Sequence, residues 1–189
     1  MSPSPAPERQ VYPMAPLIRF TLIGLYLALV LPLPVLAPPP LRLPLLLALP
    51  LGLLLVVAAT AERVELGPVG LRVGYPSWCS WLFRRGWELP WGAVGGLTPV
   101  ATSQGGRVWY VRSGGGSAGA AGSGRSFLLP QRVARFDDFL ARFSQASGVD
   151  TAAVGRITPP WTYQLLAGLS GALLVGEAIA LVLMRPVAA

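Results

Sequence analysis

At 189 residues the chain has room for about one ordinary domain, yet 53% of its residues are hydrophobic and its mean hydropathy is +0.57. Soluble proteins hold roughly 45–50% apolar residues, and here the excess is concentrated in two blocks, 20–60 and 161–184. With no histidine and one cysteine, the sequence excludes imidazole catalysis, imidazole metal ligation and an intramolecular disulfide.

The N-terminal tail, residues 1–19, carries Arg9 and Arg19. Phe20 to Ala37 then runs for 18 residues without a charge, as does Leu43 to Thr60. Each makes a helix of roughly 27 Å, enough to cross a bilayer core of about 30 Å. Pro38, Pro39 and Pro40 between them predict an extended turn, because adjacent prolines remove amide donors. Residues 20–60 therefore read as a transmembrane helical hairpin, with Arg42 snorkelling to the interface and Pro32, Pro34, Pro44 and Pro50 kinking the helices. The competing reading is a signal peptide cleaved after Leu36-Ala37. Its apolar run exceeds the usual h-region of about 7–15 residues, and a second span follows at once.

Residues 61–158 have the composition of a soluble domain. Val64 to Tyr75 reads as two strands about a Gly67-Pro68 turn. Trp87 to Trp91 and Val94 to Val100 form a further strand pair broken near Pro90, and Arg107 to Arg112 is a strand. Ser113 to Gly124 contains only Gly, Ala and Ser, a linker before the returning strand Ser126 to Leu129. Val133, Phe136, Phe139, Leu140 and Phe143 follow at helical spacing until Gly148.

The third span, Trp161 to Met184, opens on the interfacial aromatics Trp161 and Tyr163 and holds one charge, Glu177. Gly168, Ala172, Gly176 and Ala180 recur every four residues, a small-residue face that lets another helix approach closely. A carboxyl group in lipid is costly and faces a partner or a cavity, so Glu177 reads as a further helix-packing residue. The alternative is a reach toward the surface from about two turns inside the helix end. A composition this rich in Gly and Ala also produces such stripes by chance.

All fifteen basic residues are arginine, eleven of them in 61–158. By the positive-inside rule the N-terminus and the middle domain are expected in the cytoplasm, in a bacterial inner membrane or a thylakoid.

Leu71-Arg72-Val73-Gly74-Tyr75-Pro76, Gly86-Trp87-Glu88-Leu89-Pro90-Trp91, Gly105 to Val111, Arg135-Phe136-Asp137-Asp138-Phe139 and Ser147-Gly148-Val149-Asp150 resemble the bacterial pleckstrin-homology-like domains. The resemblance covers roughly half the chain and rests on pattern. It implies a small, partly open β-barrel capped by a helix, a fold that does not itself specify a function. In layout the chain is also similar to the photosystem I assembly proteins, which place two spans before such a domain, but it departs from them in its third span. The expected fold is thus an α+β membrane protein: tail, hairpin, PH-like barrel with its C-terminal helix, and one C-terminal transmembrane helix.

Little in the domain suggests catalysis. Cys79 lies among Trp78, Ser80 and Trp81, as a buried or interfacial thiol does. Asp137 and Asp138 point about 100° apart on a helix, no acid/base pair. The Gly-rich stretch lacks the Gly-Lys-Ser/Thr of a P-loop. Trp78, Trp81, Arg84 and Arg85 instead suit a lipid interface, with rings at headgroup depth and guanidinium groups on phosphates. Trp87 and Trp91 read equally well as core. Against six acids the eleven arginines leave the domain at +5, which anionic lipid explains without nucleic acid. The expectation is a protein without enzymatic activity, cofactor, metal or nucleic-acid partner. Two roles remain: an assembly module binding partner membrane subunits or a second copy of itself, and an anionic-lipid sensor or transport-system accessory subunit.

Overall fold

A computed structural model describes residues 9–83, 86–103, 106–114, 125–155 and 160–183. The chain divides into two compact units, Met1–Ala15 with Ala61–Thr158, and Pro16–Thr60 with Pro159–Ala189.

The first unit begins where sequence patterning predicts only a tail. Gln10–Pro13 forms β1, which pairs antiparallel with β2 (Arg63–Leu66) in the register Tyr12↔Val64 and Pro13↔Arg63. The four residues are too few to show an alternating pattern, and their partner lies beyond the whole apolar hairpin. β3 (Gly70–Gly74) follows the Gly67-Pro68 turn, and β4 (Trp87–Pro90) completes a sheet of order β1-β2-β3-β4. Period-two alternation sends Tyr12, Val64 and Val73 to one face, and Leu66, Leu71 and Leu89 form the next row across the same sheet. The opposite face carries the cross-strand row Glu65↔Arg72↔Glu88, with Arg9 and Arg63 both ion-paired to Glu65.

The expected pairing of 87–91 with 94–100 does not form. A single 3₁₀ turn at Trp91–Ala93 carries the chain out of the first sheet, and β5 (Val94–Ala101) opens a second one of order β5-β6-β7. The corner is pinned because Trp91 donates its backbone N–H to Val69 O at 3.1 Å and its indole N–H to Gly67 O at 2.9 Å. β5 takes β6 (Arg107–Ser113) as its neighbour through a bulge between Val94 and Gly96, where Gly96 adopts φ +141°. β7 (Ser126–Leu128) returns against β6. Most of the Gly/Ala/Ser linker lies outside the described residues.

Helix α4 (Phe136–Ser147; α1 to α3 belong to the second unit) puts Phe136, Phe139, Leu140 and Phe143 into the core between the sheets. It ends at Gly148, φ +71°, whose N–H donates to Ser144 O at 2.8 Å. Val133 precedes the helix rather than joining it, bridging to Met14 in a single antiparallel contact. Trp87 stacks on Phe127 with centroids 4.9 Å apart, and Trp91 meets Phe143 edge-on, so both act as core residues.

The second unit contains α1 (Pro16–Val30), the one-turn α2 (Leu33–Leu36), α3 (Pro39–Ala59) and α5 (Pro160–Leu183). Pro16–Leu36, Pro39–Ala59 and Trp161–Leu183 are long and apolar enough to cross a membrane. Pro32 breaks the first span into α1 and α2, whereas Pro44 and Pro50 are carried inside α3. The three-proline turn is tighter than expected. Only Pro38 is extended, and Pro39 and Pro40 enter the first turn of α3, where missing N–H groups remove no helical bond. Arg42 donates to Ala37 O at 3.1 Å and is exposed. α3 meets α1 where the Tyr26 hydroxyl donates to Leu49 O at 2.7 Å over Gly52. α5 meets α1 where the Thr21 hydroxyl, bonded to Leu17 O, also lies 3.2 Å from Tyr163 O, and where Gly24 admits Ser170. Most leucines of these helices are exposed, as lipid-facing side chains are.

Candidate functional site

Two groups of residues singled out in the sequence can be placed, one in each unit. The first is the loop between β3 and β4. Pro76 O accepts hydrogen bonds from the N–H groups of Cys79 and Ser80, winding the loop into successive tight turns, and Tyr75 stacks on Phe83 at 4.8 Å. This buries Cys79, a packed thiol rather than an accessible one, and turns Trp78 and Trp81 outward at 49% and 71% exposure. The Trp81 indole N–H donates to Trp78 O at 3.0 Å, which fixes the outer ring with its apolar face open, and Leu82 extends the patch. Arg84 and Arg85 lie outside the described residues.

The second group is on α5, where the structure separates residues that the sequence placed together. The buried or half-buried positions Tyr163, Leu166, Ala167, Ser170, Leu174 and Glu177 follow one helical stripe, and Tyr163 and Ser170 on it meet α1. Gly168, Ala172 and Gly176 lie on another face and are exposed, whereas Ala180, also exposed, has drifted round the helix to border the Glu177 cavity. A Cβ added at Gly168 or Gly176 would meet nothing within 4 Å. Glu177 therefore does not share the open face. It borders an apolar cavity of about 190 Å³ lined by Leu31, Pro32, Val35, Leu36, Ala180 and Leu181, and its Oε2 is buried without a hydrogen-bond partner among the described residues.

In the first unit, Asp138 is drawn into a bond the sequence did not indicate. It accepts the Tyr12 hydroxyl at 2.7 Å and the Arg142 guanidinium at 3.1 Å, and these contacts hold its carboxyl below the ordinary range. Burial and the same carboxylate push the Tyr12 phenol up to about 12. Asp138 thus anchors β1 to α4. Asp137, its neighbour, is exposed. Among the described residues no three Cys, Asp or Glu side chains gather as metal ligands do.

These observations define an α+β protein that joins two small antiparallel sheets and a capping helix to three helices of membrane-spanning length. The chain is 41% identical over 182 residues to the uncharacterized protein slr0269 of Synechocystis sp. (strain ATCC 27184 / PCC 6803 / Kazusa), covering 94% of this chain and 87% of the relative, and it belongs to that protein's family. No family model matches the chain. No solved structure matches it either.

Proposed function

We propose that the protein is a membrane-anchored assembly module without catalytic activity, which binds partner membrane subunits through the open face of α5 and through a PH-like domain. The observation that carries this reading is the bare small-residue face of Gly168, Ala172 and Gly176, pointing away from the face that packs on α1. In lipid the hydrophobic effect does not drive helices together, and such faces associate through close backbone approach. The PH-like reading is supported by four strands, then three, then a closing helix. A cytoplasmic N-terminus and domain are supported by the pairing of β1 with β2, which requires both ends of the hairpin on one side, and by the arginine count.

A second reading, an anionic-lipid sensor or transport-system accessory subunit, is favoured by the exposed Trp78 and Trp81, which Arg84 and Arg85 follow in the sequence. One experiment separates the two. The tagged full-length protein and its Gly168→Leu/Gly176→Leu variant are purified from native membranes in mild detergent and sized. The assembly reading expects a stoichiometric membrane complex for the wild type and its loss in the variant, with the variant's own thermal stability unchanged. A complex that survives the double substitution overturns it. Wild-type protein recovered alone, or with lipid only, transfers the function to the aromatic loop.

A further inference from the structure

A cavity of about 280 Å³ in the first unit belongs to neither group described above. Its apolar wall is formed by Met14, Val108, Leu128 and Val133, and its polar wall by Glu62, Gln131 and Arg132. The size lies near the lower end of small-molecule sites, roughly 300–1,000 Å³.

The polar wall is incompletely satisfied. Gln131 is only 5% exposed, and its amide N–H donates to Gly155 O at 2.6 Å, yet its Oε1 is buried with no donor among the described residues. A buried acceptor left in this state is costly, so it calls for a donor that the described residues of the domain do not supply. Glu62 is partly buried, and burial raises its carboxyl while the charge of Arg132 acts in the opposite sense. Among the described residues neither Glu62 nor Arg132 is closed into an ion pair. The cavity thus offers two oxygen acceptors, one exposed guanidinium and an apolar wall.

Covalent connectivity locates it. Met14 stands two residues before the first span and Glu62 three residues after the second. At no more than about 3.5 Å per residue, both lining residues are tethered within roughly 10 Å of the span ends.

We propose that this cavity binds the headgroup of an anionic membrane lipid that carries free hydroxyls. The anionic group meets Arg132, the hydroxyls donate to Glu62 and Gln131, and the first carbons below the headgroup lie on the apolar wall. This inference does not depend on the open face of α5 or on the tryptophan loop, and it stands or falls separately from both.

The test uses the full-length protein in an uncharged detergent, titrated with short-chain phosphatidylglycerol, short-chain phosphatidylcholine and inorganic phosphate, with bound species read by native mass spectrometry. Phosphatidylglycerol is expected at one per chain, at least about tenfold more tightly than phosphatidylcholine, and undisturbed by equimolar phosphate. Arg132→Gln removes one charged contact and Leu128→Trp fills the cavity from the exposed edge of β7. Each is expected to weaken binding at least about tenfold, while Trp81→Ala leaves it unchanged. Thermal unfolding verifies that each variant folds, and Arg132→Gln, an exposed position, carries the test alone if Leu128→Trp does not. Equal retention of the two lipids, or by the wild type and Arg132→Gln, overturns the proposal. Displacement by inorganic phosphate does too, since it reduces the site to a simple anion site.

Discussion

Tyr12 shows how one side chain ties together distant parts of the chain. Its ring is 0% exposed, packs edge-on against Phe139 at 5.5 Å, and lies under the Arg135 guanidinium, while its hydroxyl reaches Asp138. Arg135 itself holds a left-handed conformation, φ +50°, unusual for a residue with a side chain. Tyr12→Phe keeps the packing and removes only the hydrogen bond, so it is expected to lower stability by about 1 kcal/mol at neutral pH. The pH dependence has a defined sign. Asp138 titrates below its ordinary value of 3.8 when folded, so its contribution is present above that value and is lost as pH falls through the lowered one. The gap between the two proteins, measured by thermal unfolding from neutral pH to about pH 3, is expected to narrow. A gap constant with pH would show that the hydroxyl matters for some reason other than Asp138.

At the scale of elements, glycines of the membrane helices divide into two kinds that look identical in sequence. Gly52 on α3 lies under the Tyr26 hydroxyl, where an added Cβ would collide with that group and disturb its bond to Leu49 O. Gly168 and Gly176 on α5 face open space. Gly52→Ala is therefore expected to destabilise the full-length protein in detergent by about 1–3 kcal/mol, the usual cost of overpacking. Gly52→Ala combined with Tyr26→Phe should recover part of the loss, because removing the hydroxyl relieves the closest contact. An unchanged melting temperature for Gly52→Ala would contradict this packing of α1 on α3. The same contrast explains why Glu177 and Gly176, adjacent in sequence, separate in space: one residue along a helix is a rotation of about 100°.

At the scale of the whole molecule, the two apolar spans Pro16–Leu36 and Pro39–Ala59 are inserted between neighbouring strands of one sheet. β1 must therefore be included for the domain to fold. A soluble version beginning at Ala61 exposes the edge of β2 and lacks the buried Tyr12 ring, and it is expected to be poorly soluble or not to unfold cooperatively. Because Pro13 pairs with Arg63, only a short linker is needed to replace the hairpin. A chain joining residues 9–15 through a Gly/Ser linker to 61–158 is expected to fold cooperatively, as judged by near-UV circular dichroism during thermal unfolding. Cooperative folding of the version without β1 would show that the strand is dispensable.

Those three scales also separate what was legible in the sequence. The membrane-length helices, β2 and β3 about Gly67-Pro68, β6, and the stop of α4 at Gly148 could all be read directly, because each depends on a local quantity: uncharged length, alternation, turn chemistry or helical period. The α5 stripe was visible for the same reason, as was the aromatic loop. The long-range partners were not. Nothing local in Gln10–Pro13 announces a strand, nothing in Trp87–Val100 says that neighbouring strands join different sheets, and nothing brings Glu62 beside Gln131 and Arg132. Sequence by itself determined which segments are apolar, extended or helical, since those preferences are set within a few residues. Tertiary structure decided which segments meet, which face of α5 is left open and where a cavity remains, because those follow from the joint packing of residues far apart along the chain.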